Sequence, residues 1–307
     1  MKHTILTIAA LCATALFLAG CSSEGNPDSL LPLPPVSGTV PLSVESSTLQ
    51  GEVTTRGVLG AGAKIGVFLA GTGYPQRNNC QYQYGAPSWT PVDAANTIYL
   101  GGSTAQVCAY HPWTSGFDNS AAVPLTTQIY ASAADLSFDT DRDVDGSKAN
   151  KSTSFSMTRA YAKLTLSFQR ANYPGTCQIQ QVEIQNCLTS ATLNITDGTY
   201  SSPDGTAGTT LSQVTDVTVP DSGTAEIDWL MVPCRPAGAG MTLVLTIDGK
   251  TMTTSIPTAS YTPVKGEYKT ILLSINGTAV DPVSVTLTDW PASTEINDGG
   301  NPFIPLP

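Results

Sequence analysis

AYAKLTLSF, residues 160–168, alternates apolar Ala162, Leu164, Leu166 and Phe168 with Lys163, Thr165 and Ser167. A period of two places the first set on one face of an extended chain and the second on the other, which is the pattern of a half-buried strand. The alternation recurs upstream, where Ala63, Ile65, Val67 and Leu69 interleave with Lys64, Gly66, Phe68 and Ala70. It also appears near the start, where Val40, Leu42 and Val44 interleave with Pro41, Ser43 and Glu45. Downstream, strands are predicted over 178–185, 191–196, 225–232, 241–247, 251–256, 269–275 and 283–287. Asp197-Gly198, Asp248-Gly249 and Asn276-Gly277 supply turn signals between or beside them. No segment longer than about 10 residues carries helical periodicity. The expected fold is all-β and sandwich-like.

Composition agrees. The 307 residues are 41% hydrophobic and only 12% charged, with 27 Gly and 22 Pro, a balance of strands and turns rather than of helices. The length suits one large or two ordinary domains. A polar stretch, DTDRDVDGSKANKSTS over 139–154, reads as a long turn or interdomain connection. The chain therefore divides into an N-terminal β-sandwich domain, 57–153, and a C-terminal one, 154–307. Residues 72–120 are rich in Gly, Asn, Tyr and Trp and read as long loops around short strands at 97–100 and 106–110.

The N-terminus points to export. Lys2 and His3 precede an apolar run from Ile5 to Phe17 that suits a signal peptide, and it closes on Leu18-Ala19-Gly20-Cys21, which resembles a bacterial lipobox. Residues 1–20 are then the lipoprotein signal peptide and Cys21 the lipidation site, and the acyl chains would hold the protein to the outer membrane. Four prolines within 26–38 make an extended spacer of roughly 3.1 Å per residue. Behind it come the candidate leader strand (Val40, Leu42, Val44) and then Arg56, the first Lys or Arg after Lys2. Pro41 is tolerable there only where its missing N–H faces an edge.

Loss of Lys2 would leave the mature chain one unit more negative than the full chain's −10. Nucleic acid is excluded as a partner class, because phosphate binding needs a basic surface. His111 is the sole imidazole after residue 20, no G-x-S-x-G is present, and nothing marks two particular carboxylates as a glycosidase pair. The expectation is no catalysis and no cofactor. Gly60, Gly62 and Gly66 spell GxGxxxG ahead of a strand, which is no dinucleotide fingerprint, and read as a flexible approach to that strand. Asp141, Asp143 and Asp145 copy the first half of a calcium loop, yet its twelfth position is Ser152 rather than a bidentate Glu. Beyond Cys12 and Cys21 five cysteines remain. Cys80 with Cys108 and Cys177 with Cys187 are the favoured disulfides, although spacing alone leaves other pairings, and the fate of Cys234, open. Tyr82, Tyr84, Trp89, Tyr99, Tyr110 and Trp113 read either as packing under loops or as a stacking face for glycan.

TTRG before KIGVFLAG, then YGAPSW, AQVCAYHPW, SFSMTRAYAKLTLSF and VSVTLTDW occur in an order that spans nearly the whole chain. Together with the lipobox they resemble the fimbrillin family of type V pilus subunits and Mfa-like lipoproteins. The resemblance implies two tandem β-sandwiches of transthyretin-like, Greek-key type, export as a lipoprotein, maturation by an arginine-specific protease and polymerisation by strand exchange. On that basis Arg56 is the expected processing site, and the 21–56 leader leaves with the leader strand. Val283, Val285 and Leu287 form the candidate donor strand. Other pilus subunits are the expected partners, with a host protein or glycan as receptor. The alternative is a tethered surface lipoprotein that binds glycan or host protein without polymerising.

Overall fold

The computed structural model describes residues 38–50, 56–70, 73–201, 210–233, 240–277 and 279–288. The signal segment, Cys12, Cys21, the spacer as far as Ser37, Cys234 and the terminal NPFIPLP lie outside them.

The described chain is strands and turns, with two single-turn 3-10 segments at Ala94–Asn96 and Ser132–Ala134. The first strands are β1 (Val40–Pro41), β2 (Ser43–Gln50), β3 (Arg56–Val58), β4 (Lys64–Ala70), β5 (Arg77–Gly85), β6 (Ser88–Pro91), β7 (Tyr99–Leu100) and β8 (Ala105–His111). Next come β9 (Val123–Thr126), β10 (Gln128–Ile129), β11 (Ser137–Val144), β12 (Ser152–Arg159), β13 (Ala162–Arg170), β14 (Gln178–Gln185), β15 (Ser190–Asn194) and β16 (Thr199–Ser201). The last are β17 (Thr210–Thr218), β18 (Ala225–Met231), β19 (Met241–Ile247), β20 (Lys250–Ile256), β21 (Tyr268–Ile275) and β22 (Val280–Thr288). The fold is all-β, as the period-two segments require.

An eight-stranded sheet runs β12-β11-β8-β4-β5-β6-β2-β3, and β12 also pairs with β2, so the sheet closes on itself. Closure leaves the ring with few open edges, the usual way such sheets avoid unwanted pairing. Ile65, Val67 and Leu69 of β4, Val107 and Ala109 of β8, and Phe155 and Met157 of β12 fill its interior. The other face of β4 and β8 is also covered. There Phe68, Cys108 and Tyr110 pack with Leu125 of β9, Phe138 of β11 and Leu193 of β15. A strand buried on both faces reads as a continuous apolar run, which accounts for KIGVFLA.

Strands beyond Tyr161, joined by β10 from before it, form a five-stranded sheet, β10-β18-β13-β21-β22, which faces a four-stranded one, β17-β14-β19-β20. Leu164, Leu166 and Phe168 of β13, Trp229 of β18 and Ile271 of β21 meet Val182 of β14 and Leu243 and Leu245 of β19 across the gap. The 160–168 alternation is thus explained: its apolar set faces this core, and Lys163 on the opposite side contacts Asp228 at 2.7 Å between the rings of Tyr130 and Tyr268.

Several expectations need correction. A boundary at 153/154 falls inside β12, whose Ser152–Arg159 are bonded to β2 and β11; the chain leaves the ring only at Ala160. Residues 72–120 are less loop-rich than composition suggests. β5 hides there because only Cys80 and Tyr82 of its nine residues are buried, too thin an apolar face to register. The polar stretch 139–154 is likewise mostly strand, with 145–151 as its turn.

The favoured disulfides are absent: Cys80, Cys108, Cys177 and Cys187 are free and buried. β4 lies between β5 and β8, so Cys80 and Cys108 are two strand spacings, about 10 Å, apart, beyond the roughly 7 Å a disulfide tolerates. They also face opposite sides of the wall, Cys80 standing across from Val67 and Cys108 across from Phe68. Cys177 and Cys187 flank the whole of β14, which at about 3.3 Å per residue holds them some 30 Å apart. Burial pushes the Cys187 thiol up to about 11.

Gly66 is no hinge. It sits mid-strand opposite Tyr110, whose ring lies where a Gly66 side chain would be, and an added Cβ would overlap that ring and Asn79 Oδ1. Tyr110 is anchored in turn, its hydroxyl donating to Asn79 Oδ1 at 2.7 Å and accepting from Thr114 N at 3.0 Å. Gly66→Ala is expected to lower stability by about 1–3 kcal/mol, the range for overpacking a well-filled site, and urea unfolding measures it.

Candidate functional site

The segment of greatest interest is the leader strand, because the ring depends on it for closure. β2 runs parallel to β12 from Ser43 opposite Ser152 to Leu49 opposite Met157. Its other edge meets β6 only at Val44 opposite Trp89, and then β3 from Thr48 to Gln50. Just ahead of it, Leu42 N donates to Ile98 O at 2.8 Å, and Ser43 N donates to Lys151 O at 2.9 Å. β2 is therefore continuously bonded on one side and sparsely on the other.

Leu42 and Val44 are buried in the ring, as their alternation predicts. Val40 is not: it is 37% exposed and belongs to β1, paired with Leu100 of β7. Two further inward residues, Ser47 and Leu49, escape the sequence pattern. The cause is a bulge. Thr153 stands opposite Val44 and Ser154 opposite Ser46, so Glu45 is an extra residue and the in-out parity of β2 flips after it. Ser47 is 2% exposed, and its Oγ has no hydrogen-bond partner among the described residues. A polar atom sealed into an apolar ring without a partner costs about 1–3 kcal/mol.

The turn before β12 prepares the other half of the seam. Asp145 Oδ1 accepts from Ser147 N at 2.9 Å and Ser147 Oγ at 2.6 Å, while the buried Lys151 ammonium donates to the carbonyls of Gly146 at 2.5 Å and Lys148 at 3.0 Å. Asp141 and Asp143 lie in β11, ahead of this turn, and no group of three ligand-type residues among those described is placed to hold a metal.

Arg56 opens β3, a three-residue strand paired with β2 through Gln50, with no second strand partner among the described residues. Val283, Val285 and Leu287 fall in β22, the outermost strand of the five-stranded sheet, antiparallel to β21. Leu273 stands opposite Pro282 and Leu272 opposite Ser284, which makes Val283 an extra residue; it is 55% exposed.

The remaining singled-out residues are structural. His111 is buried at the end of β8, its Nδ1 2.8 Å from Lys64 O. Tyr82, Trp89 and Tyr110 are buried, Tyr84 packs on Trp89 with ring centroids 5.3 Å apart, and Tyr99 and Trp113 are half-buried. The rings are spent on packing.

The profile of fimbrillin-like proteins matches residues 53–290. This chain belongs to the fimbrillin-like family. Among solved structures, the fimbrillin-like chain is similar to a proposed cell adhesion protein from Bacteroides uniformis, with 20% identity and a TM-score of 0.60 over 83% of this chain and 100% of that one. A second such protein, from Bacteroides ovatus, shares 17% identity with a TM-score of 0.61 over 82% of this chain and 98% of that one. At such identities the likeness concerns the fold. Among curated proteins none matches the fimbrillin-like chain.

Proposed function

We propose that this protein is a subunit of a bacterial surface fimbria that serves cell adhesion, exported as a lipoprotein through Cys21, matured by cleavage after Arg56 and joined to its neighbours by strand exchange. Membership of the fimbrillin-like family supports the fimbrial part. The single observation that carries the assembly part is β2 itself: a strand ahead of Arg56 that closes the ring, buries Leu42, Val44 and Leu49, and is held continuously along only one edge. Its removal opens a slot with apolar walls and unpaired backbone groups, which takes up an extended segment by β-augmentation. Repeated from subunit to subunit, that contact gives a filament. Before maturation the lipid holds the protein at the outer membrane; afterwards it belongs to the fimbrium, with other pilus subunits as partners and a host protein or glycan as receptor.

Arg56 suits the part. It opens an extended strand with one unpartnered edge, the form in which a protease cleft receives a chain. Brief treatment of the folded protein with an arginine-specific protease should give one dominant early cut, after Arg56, found by mass spectrometry, and Arg56→Gln should abolish it. Early cuts elsewhere, unchanged by the substitution, would count against maturation at this site. The alternative of a tethered glycan binder needs an exposed aromatic face, and the burial of Tyr82, Trp89 and Tyr110 removes much of it.

A further inference from the structure

A pocket of about 200 Å³ opens beside the closed sheet, where the loop after β8, the outer edge of β9 and the turn ahead of β11 come together over Tyr161. Its walls are held in place without a ligand. Thr114 N donates to the Tyr110 hydroxyl at 3.0 Å, Thr114 O accepts from Asn79 Nδ2 at 2.8 Å, and the Phe117 ring packs on that of Tyr110 with centroids 5.2 Å apart. On the far side Ala134 N donates to Ala131 O at 2.9 Å, and the adjoining Asp135 is tied to Arg159. A site fixed beforehand loses little to ordering when it is filled.

The chemistry of the walls selects the occupant. Among the described residues that line the pocket there is no Lys, Arg, His, Asp or Glu, so a charged ligand finds no counter-charge. β9 is the last strand of its sheet, and its outer edge offers acceptors without donors. Thr127 N turns to β15, where Thr189 O accepts it at 2.9 Å, whereas Thr126 N turns the other way and is taken by the Tyr161 hydroxyl at 3.2 Å. Backbone groups alternate in direction along a strand, so the carbonyls of Pro124 and Thr126 also face outward, and Pro124 brings no N–H. A second strand needs donors and acceptors in turn and pairs poorly with such an edge. A polyol suits it, because its hydroxyls donate to the carbonyls, while the Thr114, Thr126 and Gln128 side chains in the same lining both donate and accept. Size agrees. A cavity of about 150 Å³ holds a benzene ring, so one of about 200 Å³ takes one six-membered ring with its substituents. Pro112, Phe117 and Leu136 offer apolar surface to the C–H face of that ring.

We propose that this pocket binds a single neutral hexopyranose, the terminal sugar of a glycan. The proposal rests on the adhesion reading above and adds to it a receptor class and its site. It takes one half-buried ring, Phe117, rather than the broad aromatic face that a tethered glycan binder would need. A neutral ligand of this size binds in the millimolar range, and the copies of the site along a fimbria raise the effective affinity for a surface that displays many such sugars.

Saturation-transfer NMR on the full chain, with the methyl glycosides of glucose, galactose, mannose, fucose, N-acetylglucosamine and N-acetylgalactosamine, tests this. At least one should bind with a millimolar Kd. Thr126→Val, which removes one hydroxyl, should weaken it by about threefold to tenfold. Ala133→Trp, which fills the mouth, should abolish it. Both positions are exposed, so the variants should keep the parent melting temperature. Binding by none of the glycosides overturns the proposal, as does binding that survives Ala133→Trp. N-acetylphenylalaninamide, the probe for a partner protein's side chain, should not bind; if it binds and the sugars do not, the pocket is a protein contact and the sugar assignment falls. Fimbrial maturation is read by the cut after Arg56 and does not enter these measurements, so either reading can fail alone.

Discussion

A chain that begins at Gly57 should melt about 15 °C below the chain that retains β2. Leu42, Val44 and Leu49 are buried in the ring, and at about 1.5–3 kcal/mol each their loss removes roughly 6 kcal/mol, which for a domain of this size corresponds to about 2–4 °C per kcal/mol. The loss has a second readout. Val44 and Leu49 stand against Trp89 and Met157 across the seam, so the shortened chain should bind a hydrophobic dye that the full chain does not. Differential scanning calorimetry at several protein concentrations separates the alternatives. An open slot filled by neighbouring molecules makes the melting temperature rise with concentration, because binding to the folded state stabilises it. A shortened chain that melts with the full one, dye-negative and independent of concentration, would mean that β2 contributes nothing to the ring.

Asp135→Ala should cost about 3–5 kcal/mol, the usual penalty for leaving one member of a buried ion pair without the other. Asp135 and Arg159 are in direct contact, and both are buried. Desolvation already draws the Arg159 guanidinium down to about 10. The pair sits where the chain passes from β12 to β13, beside the bond from Ala160 N to Leu136 O at 2.7 Å and the pairing of Ser137 with Arg159. Replacing both partners with apolar residues of similar size should recover much of the loss, since what is expensive is the unmatched charge rather than the missing attraction. Urea unfolding of the single and double variants decides the matter. A single variant within about 1 kcal/mol of the parent would show the contact to be incidental.

What could be read from the sequence follows from where each strand keeps its apolar residues. β4, β13 and β19 were legible because a period of two runs through them unbroken, and their observed bounds, like those of β14, lie close to those expected. β5 and β11 were not, because each buries only two apolar residues, Cys80 and Tyr82 in the one and Phe138 and Val144 in the other, among Asn, Gln, Asp and Arg. The leader strand was half legible. Leu42 and Val44 obey a local rule, but Ser47 and Leu49 depend on an extra residue that only the ladder with β12 reveals, and that partner lies about a hundred residues away along the chain. The cysteine pairings failed for a related reason. Two thiols in one domain need not meet, and a single intervening strand is enough to keep Cys80 and Cys108 apart.

The parallel course of β2 and β12 also decides how the seam answers to force. A segment lying along its neighbour and drawn lengthwise must give up its rungs together, whereas one drawn sideways gives them up singly. Any molecule tethered through this position along the strand axis is therefore loaded in shear, the direction in which a ladder of weak bonds is hardest to part.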